Sequence, residues 1–166
     1  NGGYTLSGAI MSGSDIITLY LDDNAENGAT ILLGSGSSMT GVDVYANTLI
    51  LRNESGSTTV TTSHIDTADD IGDINITPEV YTLSGTILTL SGSTQLLVWS
   101  GTTFQPSDIV SVGSLTIGMG SLMTASGTAM IVNGPMTVYG TFDQATTPLS
   151  VAGDLFIGAS GQFIKS

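Results

Sequence analysis

Gly113-Ser-Leu-Thr-Ile-Gly118, Gly134-Pro-Met-Thr-Val-Tyr-Gly140 and Gly153-Asp-Leu-Phe-Ile-Gly158 are three copies of one pattern, at nearly equal intervals along the chain. Each reads glycine, any residue, apolar, any residue, apolar, then a glycine-containing turn. A further apolar residue follows each turn: Leu122, Phe142 and Phe163. Alternation with period two is the mark of a strand with one buried face. The interval matches one coil of a β-solenoid, which takes about 20 residues. Stacked coils place Leu115 and Ile117 over Met136 and Val138, and these over Leu155 and Ile157, while Thr116 and Thr137 face water. Phe156 breaks that rule as a large apolar residue on the outer side. Glycines are expected at corners, where positive φ turns one strand into the next. At about 4.8 Å per coil, about eight coils make a rod of about 40 Å.

Working outward, looser copies lie at Gly28-Ala-Thr-Ile-Leu-Leu-Gly34, at Asn47-Thr-Leu-Ile-Leu51 and at Gly85-Thr-Ile-Leu-Thr-Leu-Ser-Gly92. Tyr4-Thr-Leu-Ser-Gly8 is echoed by Tyr81-Thr-Leu-Ser-Gly85. The chain reads as a single all-β module over 1–166. Residues 81–166 are the regular solenoid-like part, and 1–80 an irregular β region with an acidic loop at 64–79. Many short strands with frequent turns also fit a β-sandwich with donor-strand exchange, which stands as the alternative fold.

Composition bounds the function. Of 166 residues, 22 are Gly, 21 Ser and 24 Thr, and 40% are apolar, with a mean hydropathy of +0.33. That is enough apolar material for a core. Fourteen acidic residues against Arg52 and Lys165 leave a net charge of −12. Two cations cannot neutralise a phosphate backbone, so nucleic acid is excluded as a partner. The same scarcity argues against docking on anionic lipid. Apolar runs such as Leu96-Leu97-Val98-Trp99 are far shorter than the about 18 residues of a membrane span, so no membrane insertion is expected. With no cysteine, disulfides and thiolate metal sites are impossible. Asn1 in place of an initiator Met points to a processed or excised product.

Segments such as Leu83-Ser-Gly-Thr-Ile-Leu-Thr-Leu-Ser-Gly92 give the chain a pattern that resembles the β-helical surface proteins of bacteria, the haemagglutinin-type adhesins and autotransporter passengers. The likeness covers residues 81–166 well and 1–80 weakly. It implies a secreted stalk or fibre at the cell exterior. The acidic stretch at 64–79 departs from that pattern.

That stretch holds His64, Asp66, Asp69, Asp70, Asp73 and Asn75 within twelve residues. Carboxylate oxygens at such density suit calcium, with Asp66, Asp69, Asp70 and Asp73 as candidate ligands, although the spacing is not that of an EF-hand. A solvated acidic loop inserted between coils explains the same residues, with His64 facing solvent. Calcium is the one cofactor considered, and none is required. Asp22-Asp23-Asn24-Ala25-Glu26-Asn27-Gly28 reads as a hairpin turn. Trp99, the sole tryptophan, is the candidate glycan-binding residue; the competing role is core packing at the end of the Leu96-Leu97-Val98 strand. Asn53-Glu-Ser55 and Asn75-Ile-Thr77 match the glycosylation sequon, with Asn53 and Asn75 as acceptors. Arg52 reads as one half of a surface ion pair with Glu54.

No catalytic residues are assigned, since one His, one Arg and one Lys supply few bases. A solenoid needs polar caps, or its terminal coils expose apolar layers and backbone groups. The last template copy keeps Phe163 and Ile164 apolar, and Tyr4 and Leu6 begin strand-like, so these four are the candidate assembly residues. The expectation is a non-enzymatic structural subunit of an extracellular fibre, pilus-like filament or surface layer. Its partners are copies of itself, joined head to tail or by donor strand. An adhesin or passenger fragment binding glycans is the alternative, and a polysaccharide lyase or hydrolase the second alternative.

Overall fold

The computed structural model describes residues 12–22, 25–69 and 73–165. Strands β1 (Gly13–Tyr20), β2 (Gly28–Ser35) and β3 (Thr48–Asn53) are followed by the two-residue β4 (Val60–Thr61) and helix α1 (Thr62–Asp69). A hairpin of β5 (Tyr81–Ser84) and β6 (Ile87–Leu90) leads into the regular turns. The first is β7 (Gln95–Val98), β8 (Thr103–Gln105) and β9 (Val110–Val112). The second is β10 (Ser114–Ile117), β11 (Leu122–Thr124) and β12 (Met130–Val132). The third is β13 (Met136–Val138), β14 (Thr141–Asp143) and β15 (Leu149–Val151), with β16 (Leu155–Ile157) and β17 (Gln162–Ile164) beginning the next.

Three sheets run along the axis. One has seven strands, β1-β2-β3-β7-β10-β13-β16; the others have five, β17-β14-β11-β8-β4 and β15-β12-β9-β6-β5. Every pairing from β7 onward is parallel and in register. The chain is therefore a β-solenoid, and the sandwich alternative falls, since its sheets would be antiparallel. In the seven-stranded sheet Ala29, Leu49, Leu96, Leu115, Met136 and Leu155 form one inward column. Ile31, Leu51, Val98, Ile117, Val138 and Ile157 form the second. Val60, Phe104, Met123, Phe142 and Phe163 line the second wall, and Leu88, Val110, Met130 and Leu149 the third. This is the layering that the repeat interval demands.

The glycines that open each repeat act differently from the expectation. A Cβ on Gly113, Gly134 or Gly153 would lie 2.4 Å, 2.7 Å and 2.6 Å from backbone of the preceding coil, at Ser93, Gly113 and Gly134 respectively. These residues let backbone stack on backbone at one corner. Positive φ is found instead at Gly101 and Gly120, which turn the first wall into the second.

The acidic stretch is not a solvated loop. Residues 62–69 are helical, and Ile65, Ala68, Ile76 and Val80 are all buried in the one core. The seven-stranded sheet extends two strands, β2 and β1, past the level at which β4 begins the second wall. Helix α1 follows β4 directly and packs on β1, so α1 and residues 73–80 fill the space the missing wall leaves. Burial, then Asp69 and Asp66, hold the Tyr81 phenol well above its usual range, and its hydroxyl donates to the Ile65 carbonyl at 3.3 Å. The N-terminal side of the described core is thereby closed.

Outward residues near that end are covered as well. Thr30, Leu32 and Ile50 are buried although their neighbours point inward. Residues 36–47 cross this face, tied by the Thr30 hydroxyl donating to the Asp43 carbonyl at 2.6 Å and by Arg52 donating to the carbonyls of Gly41 and Thr40.

Candidate functional site

Strands β15, β16 and β17 are the last strand of their sheets. Their inward residues continue the core columns, yet nothing described lies beyond them. Leu155 sits in register with Met136 and Ile157 with Val138, both of which are fully buried. Leu155 and Ile157 are nonetheless 46% and 44% exposed, and Ile164 is 41% exposed. Phe156, on the outer side, is 54% exposed and meets Tyr139 edge-on, with ring centroids 6.0 Å apart. Phe163 is half-buried, its ring 5.3 Å from that of Phe142. An apolar rung bordered by three unpaired strand edges is a template for further pairing. Of the four assembly residues expected, Phe163 and Ile164 lie on this rung, whereas Tyr4 and Leu6 lie outside the described residues.

Asp73 and Asp69 are engaged within the chain. Asp73 accepts from the Tyr20 hydroxyl at 2.8 Å and from the backbone and side-chain amides of Asn75, both at 2.9 Å. Those hydrogen bonds, the Asn75 backbone first, lower its pKa. Asp69 accepts from the Thr77 hydroxyl, and Asp66 lies exposed on α1. Asp70 is outside the described residues. Among the described residues, no three His or carboxylate side chains gather at metal-ligating separation.

His64 is a capping residue rather than a solvent-facing one. Its Nδ1 accepts the Thr61 backbone N–H at 3.0 Å and lies 2.9 Å from the Thr61 hydroxyl. The proton is therefore placed on Nε2, and His64 takes the part that Glu plays in a capping box.

Both sequon asparagines are internally bonded. Asn75 is buried and its Nδ2 donates to Asp22 at 3.1 Å and to Asp73. Asn53 donates to the Thr58 carbonyl, while its Oδ1 accepts from the Ser55 backbone at 2.9 Å and hydroxyl at 2.6 Å. A glycan on either nitrogen requires these bonds to open.

Trp99 is neither in the core nor free on the surface. It is half-buried at a corner, with the Arg52 guanidinium carbon 5.7 Å from its ring centroid. The ion pair of Arg52 with Glu54 forms as expected, and Arg52 also holds the strap at residues 40–41. A cation over an indole face takes the position a sugar ring would stack on.

The sequence-based candidates do not include the exposed pair of Tyr139 and Phe156. The signal for it is strand parity, which makes Phe156 an apolar residue at an outward position. In comparisons with known proteins, no family model, curated protein or solved structure matches the chain.

Proposed function

We propose that this chain is a non-enzymatic structural module of an extracellular fibre, pilus-like filament or surface layer, joined to its neighbours through the rung of β15, β16 and β17. The observation that carries the reading is the 46% and 44% exposure of Leu155 and Ile157, at positions whose register partners Met136 and Val138 are fully buried. Apolar positions of a solenoid belong in contact with another coil. The placement outside the cell rests on the Ser/Thr-rich composition and on the repeat pattern. The expectation of two open ends does not extend to the described N-terminal side, which α1, β1 and residues 73–80 close. Sedimentation velocity across a hundredfold range of concentration, with negative-stain micrographs, tests the proposal. Assemblies that grow with concentration are expected, and dispersed monomers throughout would refute it.

A glycan-binding adhesin is the second reading, favoured by the edge-packed, exposed Tyr139–Phe156 pair rather than by Trp99. Glycan-array binding that is lost in Tyr139→Ala and retained in Trp99→Ala is its expected signature. An array with no hits would dismiss it.

A further inference from the structure

We infer that Asn133 is a site of spontaneous modification in the folded protein: the backbone nitrogen of Gly134 displaces ammonia from the Asn133 side chain, and water then leaves an aspartate or isoaspartate in its place. The site is a corner within the solenoid and is independent of the assembly proposed above.

The chain holds three Asn-Gly pairs, Asn1-Gly2, Asn27-Gly28 and Asn133-Gly134, the first of them outside the described residues. Glycine after asparagine leaves the next backbone nitrogen unshielded by a side chain and free to turn toward the amide. Geometry separates the two described pairs.

Asn133 follows β12 at the corner that leads into β13. Val132 is in register with Val112 and Met136 with Leu115, yet four steps of chain join Val132 to Met136 and only three join Val112 to Leu115. The Asn133 corner thus carries one residue more than the corner on which it stacks. Its backbone bonds differ accordingly. The Gly113 N–H donates to the Thr94 carbonyl at 3.0 Å, and the Gly153 N–H to the Gly134 carbonyl at 3.1 Å. Among the described residues the Gly134 N–H has no acceptor, and the exposed Asn133 side chain makes no hydrogen bond. Nucleophile and amide are adjacent, reached by water and unengaged. Coils on both sides are described, at Gly113 and Gly153, so this exposure is set within the solenoid.

The other pair is locked. Asn27 is half-buried and its carbonyl accepts from the Asn47 N–H. Gly28 is buried at the start of β2, where a Cβ would lie 2.1 Å from the Tyr45 carbonyl oxygen, and its carbonyl accepts from the Leu21 N–H at 3.1 Å. Turning that peptide plane requires β2 to part locally from β1 and β3.

The chemistry needs only base and water. Once a base removes its proton, the Gly134 nitrogen attacks Cγ of Asn133 and closes a five-membered succinimide. The Cγ–Nδ2 bond breaks, and Nδ2 takes a proton from water and leaves as ammonia. Water then opens the ring. Breaking the new bond to Cγ restores the main chain with an aspartate. Breaking the bond to the main-chain carbonyl carbon gives an isoaspartate, with one more atom in the main chain. Either product adds a negative charge to the net −12. Isoaspartate also lengthens a corner where Gly134 packs on the Gly113 backbone and holds Gly153.

The whole chain is incubated in mildly alkaline buffer, folded in one sample and unfolded by guanidinium chloride in another, and peptic peptides are followed by mass spectrometry. In the folded sample Asn133 is expected to convert about tenfold or more faster than Asn27, because only Asn27 waits on local opening. In denaturant the two rates are expected to converge. An Asn133 amide that persists in the folded chain, or an Asn27 that converts there as fast, would overturn the assignment, and neither result bears on self-assembly.

Discussion

Phe142→Ala removes the ring on which the second wall is built. Phe142 is fully buried and stands in register between Met123 on one side and Phe163 on the other. Its ring is tilted by 39° against that of Phe163 at 5.3 Å. Truncating a buried Phe costs about 3–5 kcal/mol, the spread reflecting how far the surroundings collapse. Collapse is restricted here because the strand is pinned on both sides: the Thr141 amide donates to the Ser121 carbonyl and the Gln144 amide to the Ile164 carbonyl, both at 2.8 Å. The neighbouring glycine corners fix the coil spacing as well. A loss of about 4 kcal/mol is therefore expected, a large part of the about 5–15 kcal/mol that holds a domain folded. Urea unfolding followed by the emission of Trp99 measures it, with Phe156→Ala as a control expected to cost under about 0.5 kcal/mol, as for surface residues. A loss below about 1.5 kcal/mol at Phe142 would refute the reasoning, because the ring would not be enclosed between rungs.

Gly134→Ala brings a Cβ to 2.7 Å from the Gly113 carbonyl oxygen, an overpacking against backbone expected to cost about 1–3 kcal/mol by thermal or urea unfolding. Arg52→Ala releases the strap carbonyls and uncovers the Trp99 face, so a red-shifted Trp99 emission and a loss of about 1–2 kcal/mol are expected. Asp108 accepts from the hydroxyls of Thr128 and Thr86, which lower its pKa, Thr128 foremost. A depressed folded pKa means stability that is present above the unfolded value of about 3.9 and lost as pH falls through the folded one. The stability gap between wild type and Asp108→Asn should therefore be constant near neutrality and shrink below pH about 4; a gap independent of pH would contradict it.

How much of this is legible beforehand follows from what each residue signals. The nearly constant interval between Leu96, Leu115, Met136 and Leu155 carries the solenoid, because each coil adds one strand per wall and parity fixes which side chains point inward. The same interval fails upstream because Leu49 pairs with Leu96, more than two coil lengths further along the chain, across α1 and the β5–β6 hairpin. Helix α1 is hidden by its poor helix formers, Thr, Ser, His and Asp. Thr61 with His64 three residues later is a capping signal that the acidic residues obscure. Trp99 follows the inward Val98, so parity alone places it outside the core. The Arg52 guanidinium that covers it comes from another coil, far away in sequence, and no local pattern reports that. Glycine at the start of each repeat is visible, but its reason, backbone packed on backbone, emerges only when the coils are stacked.

Hydrogen–deuterium exchange measured as a function of protein concentration tests the central claim most directly. Amides of residues 155–157 and 162–164 are expected to gain protection as concentration rises, while those of β1 and β5, the outermost strands at the closed end, do not change. Terminal-rung amides that exchange at the same rate in dilute and concentrated solution would contradict it.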